Sequence, residues 1–249
     1  MLTKAQYTKK RQTIGAELAK LAGDIVILCE IENKNILVDL NKAELGGAYT
    51  SIELIAGNDT RGIDVGLLSK IKPDAVISHK DEFFQSSETK ASYQYSRDCL
   101  ELHFTINGRK LVVLGVHFKA KEPIDSPDKR LAEAEHTRAL ADAITKKDPT
   151  TAVLILGDMN DTPGTPPLKA VVGKAPAIYK DSADAAPEAE RYSFVYQGTK
   201  ELIDHQMANP VMAGLLDPAS VLLPHGAGID DKSAAASDHA PIRATYLIK

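Results

Sequence analysis

Aromatic residues are scarce, at 5% of 249 residues, and the tyrosines do not alternate regularly with basic residues. That argues against an extended stacking platform for nucleic-acid bases, so Tyr93, Tyr95 and Tyr192 read as packing residues. Cysteine is nearly absent. Cys29 and Cys99 permit at most one disulfide, which excludes a disulfide-built scaffold. Cys29 lies inside the apolar run DIVILCEI, where a buried thiol is ordinary, and both cysteines are expected to be reduced. No apolar stretch approaches the roughly 18 to 20 uncharged residues that span a bilayer. The opening MLTKAQYTKKRQTIG also lacks the apolar run of a secretion signal, so the chain as written is expected to be cytoplasmic. There is no excess of positive charge: 30 Lys and Arg against 34 Asp and Glu give −4, which excludes a strongly basic protein that coats nucleic acid. Any polyanion must be gripped locally. Linkers, repeats and low-complexity segments are missing too, and a single domain over residues 1–249 is expected.

What is present is an ordinary globular composition, 43% hydrophobic and 26% charged, enough to bury a core and incompatible with intrinsic disorder. Tyr7, Ile14, Leu18 and Leu21 fall at helical spacing between basic residues, predicting an amphipathic helix over 4–22 that closes at Gly23. Ile25 to Leu28 begin an apolar, β-branched run that reads as a buried strand and carries Glu30 to its end. Further strands are expected at 63–68 and 74–78. Residues 100–106 alternate apolar and polar, and Asn107-Gly108 separates them from LVVLGVHF, the strongest short hairpin signal available. A second amphipathic helix is expected over 128–146, then the buried strand AVLILG, with closing strands near 201–207 and 242–248. SADAAPEAE and HGAGIDDKSAAAS read as surface loops. The mixture predicts an α/β layered fold with antiparallel pairing.

Acidic, amide and imidazole residues collect where these strands stop: Glu30, His117, Asp158 with Asn160, Asp204, and Asp238-His239 before the last strand. Strand ends meet along one rim of a sheet. Together they offer hard oxygen ligands, an amide and imidazoles, the chemistry of magnesium-assisted displacement at phosphorus. His79, His103, His136 and His225 lie away from these motifs and read as structural. His205 neighbours Asp204 along a strand and is expected on the opposite face.

LCEIEN (28–33), RGIDVGLL (61–68), RDCL (97–100), HFKAK (117–121), GDMNDTP (157–163), LIDH (202–205) and SDHAPI (237–242) follow one another in an order and spacing that resembles the endonuclease/exonuclease/phosphatase family. That family includes pancreatic-type deoxyribonucleases, abasic-site endonucleases, sphingomyelinases and inositol-polyphosphate phosphatases. The resemblance covers nearly the whole chain. It implies a four-layer α/β sandwich, two packed and mainly antiparallel β-sheets flanked by helices. It also implies a Mg²⁺-dependent hydrolase of phosphate esters, with Mn²⁺ as a substitute. By the same resemblance Glu30 is the principal metal carboxylate and Asp238 a second metal or water contact. Asp158 orients or deprotonates the attacking water, and Asn160 holds a phosphate oxygen or the leaving group. His239 contacts the phosphate and moves a proton, with Asp204 fixing its tautomer. His117 and Arg97 bind the scissile phosphate, and Lys119 and Lys121 meet neighbouring phosphates.

The sequence departs from the family in three places. Relatives begin with a strand bearing an Asn near the metal, ahead of the helix that here starts at about Lys4. The expected consequences are weaker metal affinity and an open sheet edge that invites a strand-mediated homodimer, while loss of a leader together with that strand would make the protein secreted or periplasmic. Val116 stands where Asn is frequent before His117, and Gln206 and Met207 follow Asp204 where apolar residues are usual. The first reading is a nuclease that cleaves DNA by in-line attack of water. A phosphatase for a small phosphate ester and a catalytically crippled binding protein are the alternatives, since the fold does not choose the substrate.

Overall fold

The computed structural model describes residues 3–121, 127–225 and 236–249. Most of the HGAGIDDKSAAAS loop lies outside them. In chain order the elements are α1 (Lys4–Leu21), β1 (Ile25–Ile31), α2 (Lys34–Glu44), β2 (Ser51–Leu54), β3 (Asp64–Ser69), β4 (Ala75–Ser78), β5 (Phe84–Gln85), β6 (Ser92–Tyr93), β7 (Leu100–Ile106) and β8 (Arg109–His117). They continue with α3 (Pro127–Lys147), β9 (Ala152–Asp158), α4 (Pro166–Val172), β10 (Lys180–Asp181), β11 (Phe194–Tyr196), β12 (Thr199–Glu201), β13 (Asp204–Ala208), α5 (Pro210–Ala213), β14 (Leu216–Leu222) and β15 (Arg243–Tyr246).

The central sheet has the order β10-β13-β9-β8-β7-β4 and is antiparallel except for the β8–β9 pair. Side chains alternate across it, as the pleat demands. Leu111 and Val113 of β8 and Leu154 of β9 face a core shared with Val65 and Leu67 of β3, whereas Val112, Leu114, Val153 and Ile155 face Ala132, Ala141, Leu168 and Val171 of α3 and α4. The second sheet, β1-β3-β2, repeats the alternation. Leu67 joins the core between the sheets, and its neighbour Leu68 packs with Leu18, Leu37 and Leu40 of α1 and α2. Helix pair, sheet, sheet, helix pair: the four-layer sandwich expected from the sequence is the architecture found.

Local chemistry accounts for most of the boundaries. Thr3 and Gln6 form a reciprocal capping box on α1, and the Asn33 side chain caps α2 by accepting from the Ile36 N–H. Asn107 and Gly108 both take positive φ, as a two-residue turn between twisted strands requires, and β7 and β8 pair in register from Ile106–Arg109 to Leu100–Gly115. Three expectations need correction. Helix α1 closes on Ala22, which takes the left-handed cap, rather than on Gly23. The segment SADAAPEAE forms two short 3₁₀ turns, and its Ala183 and Ala186 are buried against Leu202, Val221 and Leu223. Strand β1 is not a buried strand: every residue is at least partly exposed, although the sequence is almost wholly apolar. Among the described residues it pairs with β3 alone, and β15 pairs with β14 alone in a separate two-stranded sheet, so one edge of β1 lacks the neighbour that would cover it.

Candidate active site

Three adjacent strands of the central sheet end side by side. Asp158 at the end of β9 stands opposite His117 at the end of β8 and opposite Asp204 at the start of β13. The close approach that this needs is made by Gly157, at φ +138, where a Cβ would lie 2.0 Å from the Val116 carbonyl oxygen. Beyond Asp158 the chain turns back through Asn160 at φ +51, a left-handed position that asparagine tolerates better than most residues. The Asn160 backbone N–H donates to Asp158 Oδ1 at 2.8 Å, and its side-chain amide donates to the Phe118 carbonyl at 3.0 Å. The loop is further fixed by Asp161, which takes the Arg130 guanidinium at 2.8 Å.

His239 reaches the rim from the loop before β15, where it bridges to Phe194 of the β11–β12 hairpin and packs its ring against the Phe194 ring. Its Nδ1–H donates to Asp204 Oδ2 at 2.7 Å, which leaves Nε2 to face reactants. Asp204 is held in turn through its backbone N–H, which donates to Ser193 Oγ at 3.0 Å. Ligand atoms of Asp158, Asp204 and His239 all lie within 4.8 Å of one another.

Burial raises the Asp158 carboxyl above the usual carboxylate range and the Asp204 charge raises it further, with His239 and the Asn160 N–H opposing. Burial alone would lower His239, but the hydrogen bond and charge of Asp204, with Asp158 and Asp238 behind, hold it at about 9. His117 is driven well below the ordinary imidazole range by burial and by the charges of Arg97 and His239, so it is neutral here. Its Nδ1 is buried without a partner, and Nε2 lies 3.4 Å from Asp158 Oδ2.

The remaining expected site residues are placed differently. Glu30 sits on a bulge of β1, exposed and at φ +60, outside the Asp158–Asp204–His239 group; the neighbouring Cys29 thiol touches the Val116 carbonyl. Asp238 is half-buried beside His239. The Arg97 side chain is 0% exposed, with one amino group on the Phe118 carbonyl and the other 3.4 Å from Asp59. It therefore braces the segment that leaves His117, whose Phe118 carbonyl also takes the Asn160 amide, instead of presenting an open fork. Lys119 lines a neighbouring cleft, and Lys121 lies between Asp161 and Glu201 at 3.7 and 3.6 Å. His205 turns away from the rim, as expected, onto Asp181 and the Asp161 carbonyl.

Sequence reasoning misses Asp59, which receives Arg97, and Glu133, which lies fully buried in α3 and accepts the backbone N–H groups of Ser96 at 2.9 Å and Lys119 at 2.6 Å. A glutamate inside an amphipathic helix carries no signal that it will hold two loops. Phe194 is missed because only the fold brings its hairpin to His239.

The donor set suits a hard divalent cation. Two carboxylates converge, buried Asp158 and half-buried Asp204, and the Asp204 charge already makes the ionisation of Asp158 unfavourable, a cost that a cation offsets. Exposed Glu30 makes no hydrogen bond or ion pair among the described residues.

A family model described as "Endonuclease/Exonuclease/phosphatase family" matches residues 2–212. No curated protein sequence matches. Among solved structures, an endonuclease/exonuclease/phosphatase from Bacteroides vulgatus is similar at 17% identity and TM-score 0.68, over 98% of this chain and 92% of that one. A truncated TDP2 of Caenorhabditis elegans is similar at 17% identity and TM-score 0.63, over 99% and 93%. The mannosyl-6-phosphatase of Bacteroides thetaiotaomicron is similar at 13% identity and TM-score 0.66, over 98% and 92%. At these identities the structural likeness speaks for the fold alone.

Proposed function

Because the chain belongs to the endonuclease/exonuclease/phosphatase family, whose members are metal-dependent phosphoesterases, we propose that the rim of Asp158, Asn160, Asp204 and His239 hydrolyses phosphodiester bonds of DNA. The observation that carries this reading is the convergence of Asp158, Asp204 and His239 on one corner, with the Asp204–His239 hydrogen bond at 2.7 Å.

Mg²⁺ or Mn²⁺ would be held where the Asp158 and Asp204 carboxylates converge, with Asp238 or Glu30 as further oxygen donors, and would polarise a phosphoryl oxygen and offset the charge that grows on it. Asp158, pressed towards its protonated form by its surroundings, orients the attacking water and accepts its proton. His239, its ring fixed by Asp204, presents its Nε2–H to the phosphate and gives that proton to the DNA oxygen that leaves as the P–O bond breaks. Neutral His117 donates a hydrogen bond to a phosphoryl oxygen, and Asn160 holds the loop that frames it. Arg97 acts at one remove, through the Phe118 carbonyl, and Lys119 and Lys121 supply positive charge along the polymer.

The test is cleavage of supercoiled plasmid with Mg²⁺, Mn²⁺ or EDTA, beside Asp158→Ala as a guard against contaminating nuclease. Metal-dependent nicking that falls by at least about a hundredfold in the variant is expected. Well-folded protein that does not nick, yet hydrolyses a small phosphate monoester, would favour the second reading, a phosphatase; likeness to the mannosyl-6-phosphatase fold motivates it. The open edge of β1 adds a further element to the proposal: a second copy of the chain pairs there.

A further inference from the structure

Beside the catalytic rim lies a separate cleft of about 540 Å³, bounded by segments 58–61 and 92–96 and by Phe83, Lys119 and Lys129. Two features of its lining call for a ligand. Phe83 is 73% exposed, more than any other large apolar side chain among the described residues. Tyr93 joins it in the lining, with its hydroxyl anchored on Asp128 at 2.9 Å. The second feature is charge. Arg61, Lys119 and Lys129 all line the cleft; among the described residues the one acidic residue in the lining, Asp59, already takes Arg61 at 2.9 Å and Arg97 at 3.4 Å. Lys129 is half-buried among these cations, and its ammonium is made more acidic by burial and by Lys119 and Arg97, against the pull of Glu133. A bound anion would relieve that strain.

The cleft is joined to the reaction centre through bonds. Arg97, which lies beneath Asp59, donates to the Phe118 carbonyl, and the Asn160 side-chain amide donates to the same oxygen. The charges of Arg61 and Asp59 in the lining also act on His117 at the rim, so a phosphate in the cleft would be a neighbour of the phosphate being cleaved.

We propose that this cleft holds the nucleotide next to the scissile bond of an unpaired strand, with its base against Phe83 and Tyr93 and its phosphate between Lys119, Lys129 and Arg61. A bare phosphate has no use for an exposed phenyl ring, and an apolar ligand has none for three cations. Base pairs in a duplex keep their faces stacked on each other, so only a strand with a freed base can use both halves of the cleft. The inference rests on the nuclease reading and narrows its substrate to strands with unpaired bases, which ends, gaps, flaps and the transiently opened segments of a supercoiled plasmid all supply.

Fluorescence anisotropy in EDTA, with fluorescein-labelled oligothymidylate and a labelled duplex as probes, tests it without turnover. The single strand should bind more tightly than the duplex. Phe83→Ala should weaken the single strand about tenfold and leave the duplex unchanged, and Phe83→Trp should restore the loss. Lys129→Ala should weaken both probes and lower the salt dependence by about one counterion, while Lys146→Ala, an exposed change at the far end of α3, should alter neither. Tighter binding of the duplex, or wild-type affinity in Phe83→Ala, would overturn the proposal. If the plasmid is nicked all the same, the nuclease reading survives without the subsite. If neither probe binds and only small esters are hydrolysed, both readings fall.

Discussion

His239 owes its raised affinity for a proton chiefly to one partner. With the Asp204 carboxylate accepting at 2.7 Å, the imidazole is held at about 9 in spite of burial. Asp204→Asn keeps the size of the side chain but removes the charge, so the His239 titration should fall towards the ordinary imidazole value near 6.5, and hydrolysis should drop about a hundred- to a thousandfold. Proton NMR of the metal-free protein reads the first effect and a rate assay the second; an unmoved titration would refute the assigned pairing. At this scale the sequence is most readable where a strand meets a polar residue: His117, Asp158, Asp204 and His239 can be named before their contacts are known. Arg97 shows the limit. Its side chain is committed to the Phe118 carbonyl and to Asp59, and nothing in the string RDCL reveals that both partners will be internal.

Among the elements, a chain of hydrogen bonds ties the β4–β7 edge to α3. His136 bonds Glu82 at 2.8 Å, Glu82 bonds His79 at 2.8 Å, His79 bonds Glu101 at 2.9 Å, and Glu101 also takes His103. Burial lowers His79, but Glu101 and Glu82 outweigh it and raise it above 6.5. Burial raises Glu82 and Glu101, but their histidine partners bring both below 4.5. Raised His79 contributes stability that is complete below 6.5 and fades as pH climbs through its folded value; the lowered glutamates contribute above 4.5 and fade as pH falls through theirs. The stability difference between wild type and His79→Gln, measured by urea unfolding, should therefore be widest between pH 4.5 and 6.5 and shrink on both sides. A difference that keeps growing with pH would show that the ionic chain is not what holds this edge. Helices and strands with strong periodicity are legible to within a residue or two, as α3 and the β7–β8 hairpin show. Strand β14 is not, because Pro218 and polar neighbours interrupt any alternating pattern and its pairing with β15 carries an irregularity between Asp217 and Leu222.

For the whole molecule, the alternation of buried residues on β3, β8 and β9 makes the four layers legible, since each face demands a covering layer. The division of the second sheet into β1-β3-β2 and β14-β15 is not written in any local pattern. An apolar strand with one edge unpaired exposes both its backbone and its side chains, and pairing with a second copy satisfies both. Light scattering at assay concentration should give about twice the 26.9 kDa chain mass, and a monomer mass would rule out that assembly. The same strand carries Glu30 in a left-handed backbone conformation that costs a residue with a Cβ about 1 kcal/mol and costs glycine almost nothing. If Glu30 helps to hold the proposed cation, heat resistance and competence pull in opposite directions at position 30. A laboratory lineage selected only for surviving high temperature would drift to glycine there, gaining robustness while it discards the carboxylate, and folded yield would be a misleading surrogate for a working catalyst.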